Sequence, residues 1–220
     1  MVWGLGTKNP LLRRMAAEKL LDGDVFKVEV ADLTPDEGFW PETGLSFVAD
    51  VGRPARPEHM PTRVEWRDRA KLPDVNKISG ALVVCDRLKD LVEQFEPSVH
   101  QFLPIDYVNT KGEPIGRRWF FIPCVRIDSR DRRQTTMVLT KSYMWRAADE
   151  LIYAGRQDEI PLGFDVTAEP KIVFSLNQIG NSHVWCDKFL FHGIWISDIL
   201  ATSMLAEDFT GINLTRWEQI

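Results

Sequence analysis

With 220 residues, 44% of them hydrophobic and 27% charged, the chain can fill one large core or two modest ones. Its eight Trp and twelve Phe argue against disorder over most of the length. A net charge of −5 disfavours nucleic acid as a partner, because that needs an excess of positive charge on some face.

No apolar stretch is long enough to span a membrane, so no membrane association is expected. The first five residues are mostly apolar and the basic Lys8, Arg13 and Arg14 follow, the reverse of a secretory signal. Cys85, Cys124 and Cys186 are widely spaced among apolar residues and read as reduced, mostly buried thiols. Cytoplasmic localisation is the expectation.

In chain order, the first predicted element is a helix from Asn9, with Pro10 in its first turn and Asp22-Gly23 closing it. A strand over Val25 to Val30 follows, with Phe26, Val28 and Val30 on one face. Residues 32 to 62 read as a long irregular connection, Arg63 to Trp66 as a short strand, and Asp68 to Lys77 as another connection. Val99 to Val108 and Arg117 to Val125 form a predicted hairpin around Lys111-Gly112-Glu113-Pro114. The run Arg126 to Arg133 reads as a solvated basic turn. Thr135 to Leu139 and Lys171 to Leu176 are further predicted strands, with a helix over Tyr143 to Ala154 between them.

Two segments resemble each other. Gly80 to Leu88 and Gly193 to Leu200 each open with a short apolar run, reach a small residue followed by Asp86 or Asp198, and continue as a helix. Both Asp residues are expected to cap their helices. An extended segment follows each helix, Val99 to Ile105 and Gly211 to Trp217. The predicted fold is therefore α+β, with a mixed, mostly antiparallel sheet, packed helices and two strand–helix–strand units. Residues 1 to 75 are expected to form an N-terminal lobe with a long acidic loop, and 76 to 220 the main domain, the two able to pack as one.

Catalytic and cofactor signatures are not evident. His59, His100, His183 and His192 form no HExxH, and no Cys pair has CxxC spacing. His183 and Cys186 are half a zinc site at most, and strand alternation puts them on opposite faces. No metal, cofactor or catalytic residue is predicted. An enzyme built on Cys186 and a histidine is an alternative, as is a regulatory module that recognises a ligand through its aromatics.

Acids are concentrated in two stretches. Asp32 to Asp50 holds five acids and no Lys or Arg, and Arg146 to Glu169 holds six acids against two Arg. Either these are solvated loop surfaces or they steer toward a basic partner. Phe39-Trp40 sits within the first stretch, either as a buried anchor or as an exposed contact.

The paired units resemble hallmark segments of the eleventh numbered immunity family of bacterial polymorphic toxin systems. The matching residues run from Val83 to Leu91 and from Glu96-Pro97-Ser98-Val99-His100 to Ile105. They resume at Trp185, Phe189, Gly193 to Leu200, and Thr210-Gly211-Ile212-Asn213-Leu214, and the hairpin from Arg117 to Asp128 is similar too. This resemblance covers about residues 78 to 220. It implies an intracellular, non-catalytic protein that binds a cognate secreted toxin, in a family found beside toxins delivered by contact-dependent or type VI machinery, several of them nucleases. On that basis Asp36, Glu37, Phe39, Trp40 and Glu42 are the first candidates for toxin contact, and Asp149, Glu150, Asp158 and Glu159 the second. The chain does not specify an oligomeric state.

Overall fold

A computed structural model of the chain describes residues 1–8, 18–38, 40–190 and 193–219. In chain order the elements are β1 (Val2–Thr7), β2 (Glu18–Leu20), α1 (Leu45–Val48), β3 (Arg63–Trp66), β4 (Val75–Ile78), β5 (Ala81–Val84) and α2 (Asp86–Phe95). There follow β6 (Gln101–Val108), β7 (Pro114–Ile122), β8 (Arg126–Ile127), β9 (Val138–Leu139), β10 (Trp145–Arg146) and α3 (Ala148–Tyr153). The last are α4 (Leu176–Ile179), β11 (Val184–Asp187), β12 (Ile194–Ser197), α5 (Asp198–Ala206) and β13 (Ile212–Trp217). The fold is α+β, as the alternating apolar runs and helical patterns imply.

Two sheets carry the fold. One has six strands in the order β2-β3-β6-β7-β5-β4, the other five in the order β13-β1-β12-β11-β8. All neighbours are antiparallel except β3 with β6 and β11 with β8. Period-two alternation sorts the side chains between faces. On β5, Leu82 and Val84 enter a central core while Ala81 and Val83 enter a second core on the opposite face. On β12, Ile194 and Ile196 face the same central core and Trp195 joins an aromatic cluster behind it. Burial on both faces explains why these strands read as continuous apolar runs.

The two predicted strand–helix–strand units are halves of one repeating plan. In the first, β4 pairs with β5, β5 with β7 and β7 with β6, all antiparallel. In the second, β11 pairs with β12, β12 with β1 and β1 with β13, again antiparallel. The N-terminal strand β1 thus takes the place that β7 holds in the first half. α2 and α5 leave β5 and β12 at matching points and bury Leu88 and Val92, or Leu200 and Met204, in the shared central core. Each half also secures the other. Glu96, just past α2, accepts the N–H groups of His183 and Val184 at the start of β11, at 2.8 and 2.9 Å. Thr210, past α5, accepts the Val75 N–H at 3.0 Å and donates its own N–H and hydroxyl to Asp74 at the start of β4. Gly211 next to it has φ +82°, and a Cβ there would lie 2.2 Å from the Val75 carbonyl oxygen, so only glycine fits.

Asp86 and Asp198 are not the caps. The preceding residue occupies the cap position in both helices, and on α5 the Ser197 hydroxyl accepts the Leu200 N–H. Each Asp instead accepts an indole N–H at 2.7 Å, Asp86 from Trp119 on β7 and Asp198 from Trp3 on β1. The register is the same in both halves, since Trp119 is paired with Val84 and Trp3 with Ile196, each two residues before its Asp.

Several local expectations are corrected. The predicted first helix falls largely on residues 9–17, outside the described residues, and its end forms β2 instead. Val25 to Val30 is no strand. The Asp24 carboxylate accepts the Phe26 N–H and its carbonyl the Lys27 N–H, so a side-chain-supported turn replaces extended pairing and leaves Phe26 84% exposed. Only Glu29 and Val30 make isolated bridges. The last residues of the connection predicted over 68 to 77 belong to β4. The helix predicted over 143 to 154 shrinks to α3, because Thr140, with Tyr143 at φ 59°, turns the chain into the β9–β10 hairpin. Of the strands predicted at 135–139 and 171–176, only β9 and isolated bridges at Phe174 form.

The basic run is not solvated throughout. Arg132 and Arg133 are exposed, but the Arg126 side chain is nearly buried and Arg130 wholly so. Arg130 stacks 3.3 Å from the Phe174 ring centroid and 4.8 Å from that of Trp195, with Asp187 at 3.5 Å. Burial pushes its guanidinium down to about 9, against the pull of Asp187 and Asp128.

Candidate partner-binding surfaces

The first acidic loop, over residues 32 to 42, is built around one inward-turned carboxylate. Asp36 lies 3.0 Å from Arg126 Nε, 3.2 Å from Arg53 and 3.7 Å from Lys188, and accepts the Trp40 indole N–H at 3.1 Å. Burial raises its pKa, but the hydrogen bond from Arg126 and the three cations outweigh that and leave it below the ordinary value. The Arg53 guanidinium stacks on the Trp40 ring at 4.2 Å. Asp36 and Trp40 therefore hold the loop down. Trp40 takes the anchor role of the two readings open for it. Gly38 is part of the same seating, since a Cβ there would meet the Lys188 carbonyl oxygen at 2.4 Å. Glu37 and Glu42 are exposed beside them, and Phe39 lies outside the described residues.

The second acidic stretch belongs to a small outlying lobe. Its core is Val138, Ala148 and Leu151, with Ile160 and Phe164 packed against them. Asp149 and Glu150 open α3 on its exposed side, where acids complement the positive end of the helix. Asp158 pairs with Lys141 at 2.9 Å on the open surface. Glu159 turns inward, accepting from Arg156 Nε at 2.6 Å and from the Lys141 backbone at 2.9 Å. These hydrogen bonds, the Arg156 one foremost, draw its pKa down. The lobe also leaves large apolar groups in water: Tyr153 is 97% exposed, and Leu162, Ile152 and Tyr143 are exposed near it in sequence. Exposed Tyr is enriched at partner-contact surfaces, although Asp and Glu are depleted there.

A groove of about 440 Å³ opens where β1, β11, α4 and the start of α5 meet, lined by Val2, Leu176, Ile179, Trp185, Asp198 and Ile199 among others. No pattern in the sequence marked it, because its walls come from four separated segments.

His100, His183 and the thiols are placed as packing and structural groups, while His59 is exposed. The Cys186 side chain lies in the central core, and burial pushes its thiol well above the ordinary value. Burial raises Cys85 too, and raises Cys124 to about 11. His183 Nδ1 is 2.8 Å from the Ser197 hydroxyl, and the ring packs against Phe95. His100 accepts the Cys124 N–H at Nδ1, which puts its proton on Nε2, facing Glu96 Oε2 at 2.6 Å. His192 lies outside the described residues. Among the described residues, no group of three His, Cys, Asp or Glu is placed to hold a metal ion, and no helix is long and apolar enough to cross a membrane.

Comparison with curated proteins found no match. Comparison with family models found one: the immunity protein family Imm11 matches residues 15–219. The match reaches well ahead of residue 78, where the resemblance in the motifs began, and so takes in β2, β3 and the anchored acidic loop. It also spans both halves of the repeating plan apart from β1. The chain belongs to the Imm11 immunity protein family.

Proposed function

We propose that this protein protects its producer by binding a cognate secreted toxin in the cytoplasm and covering a surface the toxin needs, without chemistry of its own. The observation that carries the reading is the family match across nearly the whole chain. The buried, poorly ionised thiols support the absence of a cysteine nucleophile. A toxin that acts on nucleic acid presents a basic cleft, and a chain with a net charge of −5 and two acidic stretches suits such a target. Contact-dependent or type VI delivery of the toxin fits the same reading.

Within this proposal the outward acids do the steering. Glu37 and Glu42 project from a loop that Asp36 and Trp40 hold in place, so the loop meets its partner already ordered. Asp149, Glu150 and Asp158 extend the negative field over the outlying lobe, with Glu159 bracing it from within. Co-expression with the toxin encoded beside this chain tests the proposal. Wild type rescues growth and Glu37→Lys with Glu42→Lys protects less well, and with the purified partners the variant associates more slowly, most visibly at low ionic strength. Full protection by the reversed variant, with an unchanged association rate at low salt, removes the loop from the interface, and no protection by wild type removes the function.

A further inference from the structure

The two helices that share the central core differ on their outward faces in a way the fold does not require. Asp86 of α2 matches Asp198 of α5, and Leu88 and Val92 match Leu200 and Met204 inside. Outside, α2 carries Arg87, Asp90, Glu93 and Gln94, which keep that face solvated. The matching positions on α5 are Ile199, Thr202, Leu205 and Ala206, all exposed and none charged. Ile199 is 63% and Leu205 57% exposed. Apart from Thr202, the outward positions of α5 are apolar, and a helix that is hydrophobic nearly all round is ordinarily covered. The solvated α2 shows that this architecture itself leaves the position open to water.

The groove beside α5 continues the same surface, since Ile199 and the exposed Leu176 both line it. Two of its lining residues hold buried polar atoms without hydrogen-bond partners among the described residues, the Trp185 indole Nε1 and the Gln219 side-chain oxygen. Trp185 is fully buried. Acids stand at both ends of the helix, Asp198 at its start and Glu207 and Asp208 past its end, with Arg87 paired to Glu207 at 3.8 Å.

We infer that the outward face of α5 and the adjoining groove are the docking surface for a polypeptide segment of the cognate toxin, one with apolar side chains at its centre and basic residues toward its ends. The inference rests on the toxin-binding reading above. The apolar centre supplies affinity and the acidic ends supply orientation, the division of labour usual in protein interfaces.

The test uses the full chain and the toxin domain encoded beside it, with the toxin's active site disabled. Three variants are compared with wild type by calorimetry: Ile199→Lys with Leu205→Lys, the milder Ile199→Ser with Leu205→Gln, and Asp90→Lys on the matching face of α2. Circular dichroism reports folding and sedimentation reports the state of the free chain. The expected result is binding by wild type and Asp90→Lys alike, a loss of about 10-fold in the milder variant, a loss of at least about 30-fold in the Lys variant, and a monomeric free chain. If the Lys variant fails to fold, the milder one decides. Wild-type affinity in a folded α5 variant overturns this surface while leaving the toxin reading intact. A wild-type homodimer that the α5 variants dissociate also overturns it, assigning the face to a second copy. Wild type that does not bind the toxin domain sinks both readings together.

Discussion

Glu96 shows how one side chain can fix the arrangement of both halves. Its carboxylate receives the N–H groups of His183 and Val184 and the Nε2–H of His100, so it joins the end of α2 to the start of β11. Burial alone raises its pKa, but the hydrogen bond from His100 and the two backbone bonds more than compensate, leaving it below 4.5. A carboxylate depressed in the folded state adds stability that is complete above the unfolded value and is lost as pH falls through the folded one. Glu96→Gln is therefore expected to cost about 1–3 kcal/mol near neutral pH, where a buried charged acceptor is lost. The gap between wild type and variant narrows below about pH 4.5. Urea unfolding of both proteins across that range checks it, and a gap independent of pH contradicts it. The segment from Glu96 to His100 stood out in the sequence by resemblance alone. Nothing local to it disclosed that two partners of Glu96, His183 and Val184, lie more than 80 residues away.

At the scale of elements, the matched Asp–Trp contacts give the repeating plan a direct test. Trp3→Phe and Trp119→Phe each remove one indole N–H while keeping most of the ring. Each is expected to destabilise the fold by about 1 kcal/mol, more for Trp3, whose bond to Asp198 is the less exposed of the two. Chemical denaturation midpoints measure this, and a neutral Trp3→Phe contradicts the assignment. Much of this layer was legible beforehand. The β5–α2 and β12–α5 units follow from an apolar run, a small residue and an Asp at the turn into helical spacing, and the β6–β7 hairpin from its Gly-Glu-Pro turn. What escaped was set by contacts distant in sequence or by competing side chains. Asp24 diverted the expected strand at 25–30 into a turn. The register that brings Trp119 and Trp3 to their Asp partners depends on strand pairings across each sheet. The acidic loop was read correctly as acidic, yet which of its carboxylates faces inward depends on Arg53, Arg126 and Lys188, and no local pattern ties Asp36 to them.

At the scale of the whole molecule, two similar halves enclose one central core, and each adds something different behind it: a second apolar core in the first half, an aromatic cluster around the buried Arg130 in the second. The first half carries the anchored acidic loop over its far face, since Trp40 packs with the core that Ala81 and Val83 enter. The second carries the apolar face of α5, and the chain between β8 and α4 forms the outlying lobe with its exposed Tyr153. A closely packed interior with unlike surfaces suits a protein that recognises one partner by shape and charge. Pre-ordered loops and helices lose little freedom on binding, which favours a slow off-rate. The most direct measurement is a titration of the purified toxin's activity with the purified chain. Activity is predicted to fall linearly and vanish at one equivalent, as stoichiometric occlusion requires. Undiminished activity at a tenfold excess of the chain contradicts the account.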